Sequence, residues 1–411
     1  MEDSQVDQLV AWIAEAGLAG LAESAILTGV CERMLGCGVP LARANVVIDT
    51  LHPVYQGRAF TWNRENMTTR LSEFGRSDEG EDRWERSPFY RLEISGERVL
   101  RRRLSVISIS EFPIFADLEA AAITDYIAIA NRFAAEGVVG EMDCVYSSWA
   151  TDLPQGFDEA IVRDLERLMP SFALAMKSAS LSRIAGTLVE TYLGRDAGRK
   201  VLAGSITRGV TDRIDAVLWF SDLRNYTRIS DSADPKEIIP LLNEYADAIL
   251  SAIHDCGGDV LKLMGDGTLA IFTNGERASA CHAALIAAEN ARKQVTVVNA
   301  RRAAANLPIT DMYLGLHVGE VFYGNIGSRE RLDFTVVGPA VNEVSRIAGL
   351  CRSVDQPLLV SSAFASAIGE PRKVLVSVGR YALRGVGKPQ DLYTLDRERE
   401  ETASLDDGDS Q

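Results

Sequence analysis

Asp259-Val260-Leu261-Lys262-Leu263-Met264-Gly265-Asp266-Gly267-Thr268-Leu269-Ala270-Ile271-Phe272 reads as two strands folded about a Gly-Asp-Gly tip. The glycines allow close backbone approach, and the reversal carries Asp266 at its point. Upstream, Ala216-Val217-Leu218-Trp219-Phe220 is a buried-strand run that ends at Ser221-Asp222. Two strand-end aspartates brought side by side suit Mg²⁺, which prefers a few carboxylates together with phosphate oxygens. An isolated Asp-Gly pair usually makes only a turn. The combination carries the reading.

A third element lies downstream, in Asp333-Phe334-Thr335-Val336-Val337-Gly338-Pro339-Ala340-Val341-Asn342-Glu343-Val344-Ser345-Arg346-Ile347. Here a strand ends at Gly338, and Pro339 suits a first helical turn. Asn342 and Arg346, four apart, share one helix face, while Val341, Val344 and Ile347 are free to pack elsewhere. An amide and a guanidinium projecting together fit a sugar and a phosphate; the plainer alternative is a surface pair.

Together these positions resemble a class III nucleotidyl cyclase catalytic domain. Lys262 lies four residues before Asp266, and Asn342 and Arg346 lie seven and eleven after Thr335. The resemblance covers residues 213–395 and implies a ferredoxin-like α/β (α+β) domain acting as a head-to-tail homodimer with two shared sites. By that resemblance, Asp222, Asp266 and the backbone of Leu223 hold two Mg²⁺ or Mn²⁺ ions per site. The backbone from Leu223 through Asn225, Tyr226 and Thr227 wraps the triphosphate. From the partner chain, Lys262 and Thr335 read the base, Asn342 orients the ribose and Arg346 stabilises the transition state. Arg331 is the favoured grip on the β,γ-phosphates, over Arg329, Arg384 and Lys388.

Base choice follows from hydrogen-bond polarity. Lys262 only donates, which suits adenine N1, and the Thr335 hydroxyl accepts from adenine N6. Guanine presents a donor at N1, and guanylate cyclases usually carry Glu and Cys at these places. ATP is therefore the expected substrate, with GTP or a catalytically inactive nucleotide-binding module as alternatives. Threonine at position 335, where many adenylate cyclases have Asp, resembles a bicarbonate-responsive subgroup, so bicarbonate stimulation is an expectation. Asn225 stands where a glycine is usual. Gly257-Gly258-Asp259 hints at a diguanylate cyclase, but Val260-Leu261 begins a strand instead of continuing that family's triplet.

Residues 1–171 open with two helices, marked by Val6, Leu9, Val10, Ile13 and by Ile26, Leu27, Val30, Leu35. Strands follow at Ala44 to Asp49 and Ala59 to Trp62, then a polar, loop-like stretch over 63–86. Thr124 to Phe133 and Glu141 to Trp149 pair around a Glu136-Gly137 turn, with a further helix after Gly156. This order resembles a GAF-type small-molecule sensor domain, an α/β regulatory module with an unknown ligand. His52 and the tryptophans Trp62, Trp84 and Trp149 are expected to be structural. Arg98 with Arg101-Arg102-Arg103 is expected to be a solvated face, an anion site being the alternative.

Between the two regions, 172–212 reads as a connecting helix. Leu181, Ile184, Leu188 and Tyr192 form a stripe that either packs on its own domain or pairs with a second copy. Residues 396–411 form an acidic tail. The chain of 411 residues carries 43 basic and 58 acidic side chains, a formal charge of −15 that disfavours nucleic acid. No apolar run reaches membrane-spanning length. Six scattered cysteines and an acidic, amphipathic start point to a reduced, cytoplasmic protein.

Overall fold

In the computed structural model, strand β7 (Thr211–Leu223) runs through the middle of the C-terminal sheet and delivers Asp222 to its end. The structure describes residues 1–75, 78–104, 111–134, 138–273, 275–368 and 375–396. The Glu136-Gly137 turn and all of the acidic tail beyond Asp396 lie outside them. The chain divides into two compact units, Met1–Leu188 and Val189–Gln411.

The first unit begins with α1 (Asp3–Leu18) and α2 (Glu23–Gly36) and continues through β1 (Arg43–Asp49), β2 (Tyr55–Asn63) and β3 (Thr68–Gly75). Short helices α3 (Asp78–Glu85) and α4 (Pro88–Ser95), β4 (Val99–Arg103) and α5 (Ile114–Ala120) lead to β5 (Asp125–Arg132), β6 (Cys144–Thr151) and α6 (Glu159–Leu193). The strands form one antiparallel sheet in the order β3-β2-β1-β6-β5-β4. Period-two alternation sorts its two faces. Val46, Ile48, Val145 and Trp149 pack with α1, α2 and α6, whereas Val47, Tyr146 and Ala150 pack with α4 and α5.

The polar stretch 63–86 is more ordered than its composition predicts. It holds β3, fully paired with β2, and α3. β3 is an edge strand exposed along most of its length, so it lacks the apolar alternation that betrays a half-buried strand.

The arginine run also departs from expectation, because Arg101 and Arg102 are paired internally. Arg101 makes a forked contact with Asp125, which is fully buried, and reaches Glu159 and the Phe157 carbonyl. Arg102 forks onto Glu111. A buried carboxylate stripped of its cation is costly, so Arg101→Ala is expected to destabilise this unit by about 3–5 kcal/mol. Urea unfolding measures it, and an unchanged midpoint would refute the pairing. His52 serves a turn, its Nδ1 accepting from the Val54 and Tyr55 amides. Trp62 and Trp149 are core residues, but Trp84 lines a cavity of about 530 Å³.

That cavity is also walled by Asp49, Glu93, Glu141 and Asp143. Burial first, then the charges of Asp143, Glu141 and Glu93, push the Asp49 carboxyl up to about 7. A raised carboxyl favours the protonated native state, so its stabilising contribution is lost as pH rises through the carboxylate range towards 7. Asp49→Asn removes the liability. Its gain in melting temperature over the parent should grow between about pH 5.5 and about pH 8; a pH-independent difference would contradict this.

The stripe on α6 packs largely on its own unit: Ile184 is buried, and Leu181 and Leu188 lie against the same core. Arg183 and Ser180 both donate to Glu23 of α2. Tyr192 is exposed. The helix expected across 172–212 is not continuous. It ends at Leu193, Gly194 adopts φ +88°, and α7 (Arg195–Leu202) follows. A Cβ at Gly194 would sit 2.3 Å from the Val260 carbonyl oxygen, so both conformation and space require glycine.

The second unit continues after β7 with α8 (Tyr226–Ser232), α9 (Pro235–Asp255), β8 (Asp259–Met264), β9 (Gly267–Phe272), α10 (Arg277–Ala304) and β10 (Met312–Gly327). Then come β11 (Leu332–Val337), α11 (Pro339–Leu350), β12 (Leu358–Ser361), α12 (Ser362–Ala367), β13 (Leu375–Tyr381) and β14 (Gln390–Leu395). The central order β10-β7-β9-β8 is the ferredoxin-like βαββαβ arrangement, with α9 and α10 packed together over it. β12, β14 and β13 extend one edge, and β11 pairs with β10. Trp219, Tyr245, Phe272 and Phe364 lie in the main core, such side chains contributing about 1.5–3 kcal/mol each on full burial.

Candidate active site

Two groups of side chains emerge from this frame. The first joins the end of β7 to the tip of the β8–β9 hairpin. Register pairs Ser221 with Thr268, so Asp222 and Asp266 meet and share a hydrogen bond. Partial burial, followed by that shared bond and the Asp266 charge, pushes the Asp222 carboxyl up to about 7, opposed by the Leu223 amide. Two carboxylates forced together without a cation repel, and a divalent ion between them converts that repulsion into attraction. The donor set fits Mg²⁺ or Mn²⁺. Among the described residues no group of three or more His, Cys, Asp or Glu is placed to hold a metal ion, so an ion at this pair would complete its shell with water and phosphate.

The chain after Asp222 turns at Asn225, which holds φ +58° and ψ 22°. Asparagine is the side chain that best tolerates this left-handed conformation after glycine, so its presence at a position where glycine is usual has a geometric reason. Leu223 is buried, Tyr226 leans on the core, and Thr227 is exposed. Tyr226 and Thr227 occupy the first turn of α8, where helix amides have no partner within the helix.

The second group lies along β8 and β11. Lys262 Nζ donates to Asp333 at 2.8 Å. Asp333 and Thr335 occupy one face of β11, while Phe334 and Val336 point into the core. Lys262, helped by Arg331, holds the Asp333 carboxyl below the usual range. Arg331 therefore sits with the Lys262–Asp333 pair. Asp333 stands outside the motif positions but belongs to this group, and strand alternation two positions before Thr335 is the sequence signal for it.

Asn342 and Arg346 ride on α11, which buries Val344, Ile347 and Ala348. The helix lies directly on β10 because Gly315 leaves room: a Cβ there would be 2.7 Å from the Ala348 nitrogen. Glu343 pins its rotation, accepting from Gln390 at 2.6 Å and lying 3.5 Å from His317. His317 is buried behind the helix, bonded to Ser361, and is not placed to act as a base. Asn342 faces solvent and Arg346 is half-buried near Gly385.

Lys262 lies inside β8, Asp266 beyond its end at the hairpin tip, and Thr335 on β11. A single chain thus presents the carboxylate pair and the Lys262–Thr335 group as separate patches. The elements between them expose apolar side chains, Leu263, Met264, Phe322 and Val337.

Residues 211–397 match the family described as the adenylate and guanylate cyclase catalytic domain, and the second unit is a class III nucleotidyl cyclase catalytic domain. Such domains are generally dependent on divalent metal. Among curated proteins, the chain is 30% identical over 175 residues to an adenylate cyclase of Anabaena cylindrica, covering 43% of this chain and 35% of that protein. It is 31% identical over 209 residues to an uncharacterised protein of Mycobacterium tuberculosis, covering 50% and 37%. The chain thus spans little more than a third of these relatives. Among solved structures, the adenylyl cyclase CyaB from P. aeruginosa aligns at 24% identity and TM-score 0.42, over 46% of this chain and 96% of that one. Among the described residues no helix is long and apolar enough to cross a membrane.

Proposed function

We propose that the chain is an adenylate cyclase that converts ATP to 3′,5′-cyclic AMP and pyrophosphate at sites shared across a homodimer. The observation that carries this is the Asp222–Asp266 carboxylate pair at the end of β7 and the tip of the β8–β9 hairpin, with Lys262 inside β8 and Thr335 on β11. The separation of the two patches and the apolar side chains exposed between them support a second copy completing each site.

Two Mg²⁺ or Mn²⁺ ions bound by Asp222, Asp266 and the Leu223 carbonyl would acidify the ribose 3′-hydroxyl and neutralise phosphate charge. The amides from Leu223 to Thr227 cradle the triphosphate. Lys262 of the partner copy donates to adenine N1, and Thr335 accepts from N6. Asn342 orients the ribose for in-line attack on the α-phosphorus. Arg346 meets the charge that grows on the equatorial oxygens as pyrophosphate departs. Arg331 acts beside Lys262 in this arrangement, with the β,γ-phosphates within its role.

The first unit serves as a GAF-like regulatory domain for a small molecule, with α6 and α7 as the connection, and bicarbonate as a further effector. Domain limits follow at 1–171, 172–212, 213–395 and 396–411. Incubating the purified protein with Mg²⁺ or Mn²⁺ and either ATP or GTP tests the activity. Cyclic AMP from ATP is the expected product. Cyclic GMP instead would overturn the base-reading roles, and no product from a verified dimer would favour a binding module.

A further inference from the structure

In a chain of net charge −15, three basic side chains gather on one groove of the first unit. The groove, about 570 Å³, lies between the end of β5 and the middle of α6. Arg98, Arg132 and Lys177 line it. Among the described residues their recorded contacts are to neutral groups. Arg132 donates to the Leu92, Gly96 and Glu97 carbonyls, and Lys177 Nζ lies 4.1 Å from the Phe133 ring centre.

Arg98 is held there by a defect in the helix. Pro170 has no amide hydrogen, so the Glu166 carbonyl loses its partner within α6, and Arg98 donates to it at 3.4 Å. Asn131 also lines the groove, and its Nδ2 is buried without any hydrogen-bond partner. An orphaned buried donor costs about 1–3 kcal/mol and calls for an explanation. Phe133, Pro170 and Leu174 supply an apolar wall, Leu174 being 68% exposed.

We propose that this groove binds a small organic anion, its phosphate or carboxylate meeting Asn131, Lys177, Arg98 and Arg132 and its short apolar body lying on Phe133, Pro170 and Leu174. The orphan donor then gains an acceptor, and the uncompensated cations gain a counter-charge in a partly desolvated place. The proposal gives chemical content to the small-molecule ligand of the regulatory reading. It is tested by binding alone, so it stands or falls separately from cyclase activity.

The experiment is calorimetric titration of the full-length protein with hexyl phosphate, hexanoate, inorganic phosphate and neutral hexanol. Saturable binding of hexyl phosphate or hexanoate is expected, tighter than inorganic phosphate and with hexanol far weaker. Lys177→Glu, shown folded by circular dichroism, should weaken it about tenfold or more. Asn131→Leu should weaken binding while raising the melting temperature, because it deletes an unsatisfied buried donor. A purely structural asparagine would lose stability instead. No saturable binding by either anion, equal binding of hexanol, or affinity unchanged in Lys177→Glu would each overturn the proposal.

Discussion

Asp222→Ala and Asp266→Ala are each expected to lower cyclic-nucleotide formation by about a thousandfold or more, because either change removes one of the two carboxylates proposed to hold the ions that activate the 3′-hydroxyl. The same substitutions carry a second signature. Asp222 is raised to about 7 by its burial and by Asp266, so Asp266→Ala relieves the repulsion. In the absence of divalent cations this variant should melt higher than the parent above neutral pH, and the difference should shrink as pH falls and Asp222 gains its proton. Loss of activity with a gain in metal-free stability identifies a cation site. Loss of both would mean that the pair is simply structural, and retained activity would remove it from the mechanism.

The second expectation concerns the division of labour between chains. Arg346→Ala homodimers should be as nearly inactive as Asp222→Ala homodimers, since an arginine facing a phosphoryl transition state contributes about 10³-fold or more. Mixing the two variants should restore activity. Both lesions then fall in the same composite site of the heterodimer, leaving its other site intact. With two equivalent sites per two-fold dimer and random exchange, the mixture should recover roughly a quarter of the parent rate. No recovery in heterodimers verified by differential tagging would contradict sites built from two chains.

The two patches were legible in sequence to different degrees. The β8–β9 hairpin and α11 announced themselves because turn chemistry and helix entry are local: glycines flank Asp266, and Pro339 opens the helix that bears Asn342 and Arg346. β3 was hidden because an exposed edge strand needs no apolar alternation. The break at Gly194 was hidden because a single glycine inside a helical pattern is usually tolerated; what forbids helix there is the Val260 carbonyl, distant in sequence. The Asp125–Arg101 knot and the Glu343 clamp on α11 likewise join positions that no local pattern connects. Asp333 is an intermediate case. Its place beside Thr335 follows from strand alternation, but its bond to Lys262 depends on how β8 approaches β11.

The Lys262–Asp333 bond bears on the temper of the proposed base pocket. A lysine is ordinarily a tethered charge on a floppy stem, poor at insisting on angle. With one of its three hydrogens claimed by a carboxylate on the neighbouring strand, the ammonium has only two left to offer, in directions set by backbone rather than by chance. Much of the entropy that a purine would otherwise extract from that side chain is surrendered on folding. The pocket then judges its guest by where the ring nitrogen falls, like a gauge already clamped to the bench.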